Sequence, residues 1–187
     1  MNTQHINFKI FVENPESVKL EEYPGVFNNW IQRKVTEELL VDVADYLHVH
    51  EGPGILLVGH EANYSLDNMG GRLGLLYNRK AQLEGATKEK LAQSARATFK
   101  AAALLNKENG LTFNTKEIQI SLNDRLTAPN TIETYSAFEP ELKSFLNQLF
   151  NGADYEISFK PDARERFLVN VKSASSFNMN SFLQSVN

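Results

Sequence analysis

The chain has 187 residues and a formal net charge of −4 at pH 7. It contains no cysteine, which excludes disulfides, thiol catalysis and cysteine-ligated zinc. The mildly acidic balance argues against nucleic acid and against an anionic membrane surface as partners. With 42% hydrophobic and 22% charged residues, the composition is typical of a globular domain.

The first residues contain no basic segment followed by a long apolar run, so we expect no signal peptide. The longest purely apolar runs, at 55–58 and 101–105, fall far short of the roughly 20 residues that span a bilayer. These patterns predict a cytoplasmic protein that has no membrane partner.

The first part of the chain alternates between strand and helix patterns. Apolar residues alternate over 6–12 and predict a strand, and Pro24 opens a helix with one apolar stripe. Residues 39–80 predict a three-stranded antiparallel meander with turns at 51–54 and 67–71. Thr87 is the expected N-cap of a helix that runs to about Lys107 and is closed by Gly110. The predicted buried stripe of this helix is Leu91, Ala95, Phe99, Ala102 and Leu105.

The second part repeats the pattern of the first. Alternation over 118–122 predicts a strand, Pro140 is the expected start of a helix, and strands follow at 155–159 and 167–171. The expected apolar side of that helix is Leu142, Phe145, Leu146 and Leu149, and a short helix near 179–184 ends the pattern.

The sequence therefore predicts an α+β fold in which helices pack on an antiparallel-rich sheet, in the order β-α-β-β-β-α and then β-α-β-β-α. We expect a single domain over 1–187. Its halves, 1–110 and 111–187, either derive from a structural duplication or look alike because α+β units share such patterns.

Ionisable groups concentrate in the predicted meander. Three of the four histidines, His48, His50 and His60, fall within thirteen residues. If residues 51–54 and 68–71 each form a four-residue loop, the register places Asp45 opposite His60 and His60 opposite Arg79. Under this hypothesis the three charged or titratable groups form a row across the strands, on a mostly apolar face of the sheet.

Such a row has two interpretations. The three groups either satisfy one another within the sheet, or form a site in which His60 is a general base oriented by Asp45. In the second case the neighbouring ligand-binding residues would be Glu61, Arg72, Tyr77 and Arg79.

His48 and His50 are alternative metal ligands together with His60, since two histidines on one strand face and a third nearby suit zinc or iron. The signal is weak, because the proposed register puts His60 on the opposite face of the sheet. The sequence gives no sign of a cofactor.

Two segments, 49–67 and 70–80, resemble a family of bacterial proteins, of cyanobacterial type, whose function is unknown. They read VHEGPGILLVGHEANYSLD and GGRLGLLYNRK, and the resemblance covers about 40–105. It implies a bacterial protein and carries over no activity, cofactor or partner.

Three functions remain open from the sequence. The first is a domain that binds a small polar or anionic ligand on the 40–80 meander, and we favour it because charged groups cluster there. The second is a hydrolase or isomerase that uses His60 as general base. The third is a noncatalytic module that forms a homo-oligomer.

Overall fold

The computed structural model describes residues 3–185. Their strands form one eight-stranded antiparallel sheet in the order β2-β3-β4-β5-β1-β6-β8-β7. The strands are β1 (Ile6–Val12), β2 (Leu40–Tyr46), β3 (Gly54–Gly59), β4 (Ala62–Asp67), β5 (Gly74–Arg79), β6 (Phe113–Leu122), β7 (Tyr155–Phe159) and β8 (Phe167–Ser173). The helices are α1 (Tyr23–Arg33), α2 (Thr87–Asn109), α3 (Ile132–Leu149) and α4 (Met179–Ser185). The predicted α+β class, with helices on an antiparallel sheet, is confirmed.

The meander has four strands, so the prediction of three is wrong. The expected long middle strand breaks at Gly59, where the chain reverses and β3 pairs with β4. A Cβ on Gly59 would lie 2.4 Å from the carbonyl oxygen of Ala62, so only glycine permits this close approach. The sequence offers one glycine at this point and no proline, which is a weak turn signal.

Helix α2 follows the sequence closely. Its predicted stripe is fully buried, and Gly110 ends it with a φ of 69°. Thr87 is the first helical residue instead of the N-cap, and its hydroxyl lies 3.2 Å from that of Thr3. The Glu89 carboxylate accepts a hydrogen bond from the Ala86 N–H, 2.9 Å away, and so caps the helix in its place.

Helix α3 begins eight residues before the predicted start, because Pro140 lies inside it. The helix starts after Thr131, whose hydroxyl accepts from the Thr134 N–H at 3.3 Å. Proline favours the first turn of helices, but it carries no N–H and therefore leaves the Ser136 carbonyl without its usual helical partner. The predicted apolar side of α3 is buried as expected.

Replacing Pro140 by alanine is expected to raise the free energy of unfolding by about 1 kcal/mol. Alanine restores the missing helical hydrogen bond and has the higher helix propensity, and the greater freedom of the unfolded chain offsets part of that gain. Urea unfolding of the variant and its parent measures the difference. A less stable variant would show instead that the packing of α3 depends on proline at this position.

The core lies between the sheet and the four helices. Phe8 on β1 contacts Phe99 of α2 and Phe145 of α3 edge-on, with ring centroids 5.7 and 6.0 Å apart. Phe182 of α4 packs against both of those helical rings. Helix α1 joins the same layer, since Trp30 donates to the Glu108 carboxylate of α2 at 3.1 Å. The helices thus cover one face of the sheet and leave the other to polar residues.

The two halves trace the same path through the sheet. In each half the first strand lies at the centre, a helix follows, and a later strand returns from the edge to pair with the first. The first half carries one extra hairpin, β2 and β3. This path is what a duplication predicts, and common descent of the halves stays a prediction.

Among the described residues, no helix has both the length and the apolar character needed to cross a bilayer.

Candidate functional site

The face of the sheet away from the helices is built from polar and charged side chains. Three β1 residues, Asn7, Lys9 and Phe11, point to this face and are buried. Their neighbours across the sheet are Leu76 and Asn78 on one side, and residues of β6 on the other. A polar face that is buried requires partners for its hydrogen-bonding groups.

Lys9 is the most deeply buried charge on this face, with 2% of its surface exposed. Its Nζ lies 2.5 Å from Asp67 Oδ2, and Asp67 is buried as well. Burial lowers the pKa of Lys9, and the neighbouring Asp67 carboxylate opposes that shift. The two residues form a buried ion pair. It links β1 to β4, which lies two strands away from β1 in the sheet.

A second cluster of charged residues on this face connects β1, β6 and β8. The Arg72 guanidinium lies 3.8 Å from the Phe11 ring centroid and 2.8 Å from the Glu117 carboxylate. Glu117 also lies 3.6 Å from Lys172 Nζ on β8. Arg72, a predicted ligand-binding residue, is therefore engaged in holding three strands together.

A cavity of about 600 Å³ opens over the centre of the polar face. Its floor comes from strands of both halves, and its rim comes mainly from the loop after β6 and the loop between β7 and β8. Apolar contributions come from Met69, Leu76, Phe159 and Leu168. This mixture of apolar walls and a few polar groups is typical of a small-molecule site.

Two carboxamides in the cavity lining have oxygens without a partner. Asn7 is 3% exposed and Asn130 is 4% exposed, and the Oδ1 of each meets no hydrogen-bond donor among the described residues. The amide nitrogen of Asn130 donates to the Lys160 carbonyl at 3.1 Å, which fixes its orientation. An unsatisfied buried acceptor costs about 1–3 kcal/mol. Both oxygens are themselves fully buried, so they lie behind the wall of the cavity and are not open to it.

The rim of the cavity is cationic. Arg125, Lys160 and Arg166 line it, and none of them has an ion pair within 4.0 Å among residues 3–185. Both carboxylate oxygens of Asp162 are already occupied by Arg164. Of the acidic lining residues, Glu165 alone stands without an ion pair in the described part of the chain.

Glu38 organises a separate cluster on the helical side of the sheet. Its carboxylate accepts hydrogen bonds from the hydroxyls of Tyr64 at 2.9 Å and Tyr77 at 3.1 Å. Gln93 donates to the Tyr77 hydroxyl at 3.0 Å. Burial raises the pKa of Tyr77 to about 12 and also raises the pKa of Tyr64, to which Glu38 adds. Tyr77, a predicted ligand-binding residue, thus lies on the opposite face from the cavity.

The predicted row of Asp45, His60 and Arg79 is wrong. Asp45 pairs with Ile55, and its carboxylate is exposed and accepts from the Leu47 N–H at 2.8 Å. His60 is exposed in the turn between β3 and β4, and Ala62 takes the position opposite Arg79. The register fails because the chain turns at Gly59, so a catalytic role for His60 or Asp45 lacks the contact that motivated it.

Two of the other predicted site residues contact each other. Arg79 forms an ion pair with Glu61 at 3.1 Å across the end of the β4–β5 pair. His48 and His50 are exposed near the β2–β3 turn, and His50 lies 3.8 Å from Glu51. Within residues 3–185, no group of three histidine, aspartate or glutamate side chains is placed to hold a metal ion.

Sequence reasoning missed the residues that line the cavity. Lys9 and Asn7 look like the exposed alternate positions of an ordinary edge strand, and Asn130 and Arg166 lie in polar loops. The one available signal was that β1 alternates apolar residues with Asn7, Lys9 and Phe11, a mixture that suits a strand covered on both sides.

In comparisons with known proteins, no protein-family model and no curated protein matches the chain. The resemblance of 40–105 to a bacterial family stays a prediction, as do the enzyme and homo-oligomer alternatives.

Proposed function

We propose that the protein binds a small anionic ligand in the cavity on the polar face of the sheet. The observation that supports this most is the excess of cations at its rim, since Arg125, Lys160 and Arg166 have no ion pair within 4.0 Å among residues 3–185. All three belong to the lining of one cavity of about 600 Å³.

The charge balance of the lining supports an anion. Within residues 3–185, three lining cations and one lining carboxylate have no ion pair, and the other two acids of the lining, Asp67 and Asp162, are paired with Lys9 and Arg164. Arg125 and Arg166 are exposed at the rim, and a guanidinium can bind a carboxylate or a phosphate through two parallel hydrogen bonds.

The proposed site differs in position from the one expected on the 40–80 meander. The meander supplies Asp67, Met69 and Leu76 to the cavity, and the cations come from 125–166 in the second half. The ligand class, polar and anionic, is the same.

Titration calorimetry with small anions tests this proposal. We expect inorganic phosphate, or a di- or tricarboxylate, to bind and to bind more weakly as salt is added, because exposed charges are screened. Arg166→Gln should weaken binding at least fivefold. The matched control is Arg33→Gln, since Arg33 pairs with Glu108 on the helical side of the sheet and neither residue belongs to the cavity lining. If no anion binds, or if both variants weaken binding equally, the proposal is overturned.

A further inference from the structure

The cations of the cavity all lie at one end of it. Arg125 is in the loop that follows β6, and Lys160 and Arg166 are in the loop between β7 and β8. These two loops lie next to each other, because Pro129 forms an isolated β-bridge with Arg166. An anionic group that binds all three cations is therefore held at the end of the cavity that the second half of the chain builds.

The other end of the cavity has a different character. Its lining comes from β4, β5 and the turn between them, through Asp67, Met69 and Leu76. Asp67 is the charged member of this group, and Lys9 already neutralises it. A second anionic group at this end would meet a carboxylate, so the charge pattern favours a ligand whose charge lies at one end.

The sheet register gives the distance between the two ends. Leu76 of β5 pairs with Lys9 of β1. Lys9 in turn pairs with Gln119 of β6, which pairs with Asn170 of β8. Three strand spacings therefore separate Leu76 from Asn170, which is about 14 Å. A phosphate or carboxylate group that is held by the cations leaves most of this length to the remainder of the ligand.

Apolar side chains are available along that length. Leu168 and Leu76 are half-buried on the polar face, and Met69 is 58% exposed although it lines the cavity. Between them, the Gln119 amide donates to the Asn170 side-chain oxygen at 2.9 Å, so these two polar groups partly satisfy each other. Covering Met69 and the two leucines with an apolar group would remove their surface from water, which is favourable.

We propose that the ligand is an amphipathic anion with one head group and one apolar tail. The head group, a phosphate or carboxylate, binds among Arg125, Lys160 and Arg166, and the tail lies along the floor and reaches Met69. This inference rests on the proposed function, since the head group occupies the anion site itself. It adds that the ligand is charged at one end alone and has an apolar group at the other.

Calorimetry on the full chain with three phosphonates that share one head group tests it. Methylphosphonate is the head group with almost no tail, hexylphosphonate adds the tail, and 6-phosphonohexanoate ends a tail with a carboxylate. We expect hexylphosphonate to bind about tenfold more tightly than methylphosphonate, or better, since each fully buried methylene contributes about fourfold. We expect 6-phosphonohexanoate to lose most of this gain, because its carboxylate would leave water for the end of the cavity that contains Asp67.

A variant at the far end of the cavity provides the second readout. Met69→Ser should lower the ratio of hexylphosphonate to methylphosphonate affinity by about threefold, because it removes apolar surface from the end of the tail. The affinity for methylphosphonate itself should not change. The matched control is Leu39→Ser, since Leu39 is also apolar, is 65% exposed and does not belong to the cavity lining. It should keep the ratio of the parent.

The outcomes separate the two proposals. Equal affinity for methylphosphonate and hexylphosphonate, or for hexylphosphonate and 6-phosphonohexanoate, overturns the amphipathic ligand and leaves the anion site standing. A ratio that is unchanged in Met69→Ser, or lowered equally in Leu39→Ser, overturns the placement of the tail. Absence of binding by all three phosphonates and by inorganic phosphate overturns both proposals.

Discussion

Replacing Asp67 by alanine is expected to lower the free energy of unfolding by about 3–5 kcal/mol at pH 7. The change leaves Lys9, which is 2% exposed, as a buried cation without its counter-charge, and broken buried ion pairs cost this much. Urea unfolding followed by circular dichroism measures it. The double variant Lys9→Met, Asp67→Leu should recover most of the loss, because apolar groups need no partner.

The loss in Asp67→Ala should shrink at alkaline pH. Burial already lowers the pKa of Lys9 from 10.5 in the folded protein, so between that lowered pKa and 10.5 the unfolded chain binds more protons. Stability from this group therefore rises with pH in that window. Without Asp67 the pKa of Lys9 falls further, so the pH window in which stability rises begins at a lower pH. The free energy of unfolding of the variant therefore increases more than that of its parent between pH 7 and alkaline pH.

Glu139→Ala is the control for that experiment. Glu139 pairs with Lys143 at 3.0 Å and accepts from the Tyr135 hydroxyl at 3.1 Å on a partly exposed side of α3, so its loss should cost about 1 kcal/mol. If Asp67→Ala proves no more costly than Glu139→Ala, the ion pair of Lys9 and Asp67 does not stabilise the sheet.

Replacing Glu38 by alanine is expected to cost about 3 kcal/mol. The change removes a charged acceptor from two buried tyrosine hydroxyls, and hydrogen bonds to charged groups contribute about 1.5–3 kcal/mol each. Chemical denaturation measures the loss. Glu37→Ala is the matched control, since Glu37 is the exposed neighbour that pairs with Lys100 and Arg96, and its loss should cost about 1 kcal/mol or less.

The same variant has a signature at high pH. The pKa values of Tyr64 and Tyr77 are raised in the folded protein, so above about pH 10 the unfolded chain loses tyrosine protons first and stability falls. Burial is the main cause of the raised pKa of Tyr77 and the Glu38 charge adds to it, so removal of Glu38 should lower that pKa and make the fall shallower as the pH approaches 12. A steeper fall in Glu38→Ala than in the parent would contradict this effect.

Local periodicity predicts most of the elements. The stripe of α2 repeats at helical spacing for about four turns and the strands of the second half alternate cleanly, so type and position follow from the sequence. Pro140 led to a wrong predicted start for α3, because a proline in the first turn of a helix and a proline inside a helix look alike in sequence. At Gly59, a close approach of two backbone segments decided the turn, and no pattern of neighbouring residues reports such a contact.

The site could not be predicted because it depends on strand order. Lys9 and Asp67 are 58 residues apart in the chain and meet only because β5 lies beside β1. Asn7 and Asn130 reach one cavity only because β1 also pairs with β6. In the sequence, each of these residues looks like an ordinary polar surface residue. The histidines of the meander stand out more in the sequence, but they do not line the cavity.

The central pairing of β1 with β6 has a consequence for synthesis on the ribosome. Because these strands are separated by about a hundred residues, β1 cannot complete its hydrogen bonds until β6 has left the exit tunnel. Until then the nascent first half presents an open β1 edge with Ile6, Phe8 and Ile10 along one side. An edge of this kind invites pairing with other chains, so a chaperone that shields it during translation would act on the first half of the protein.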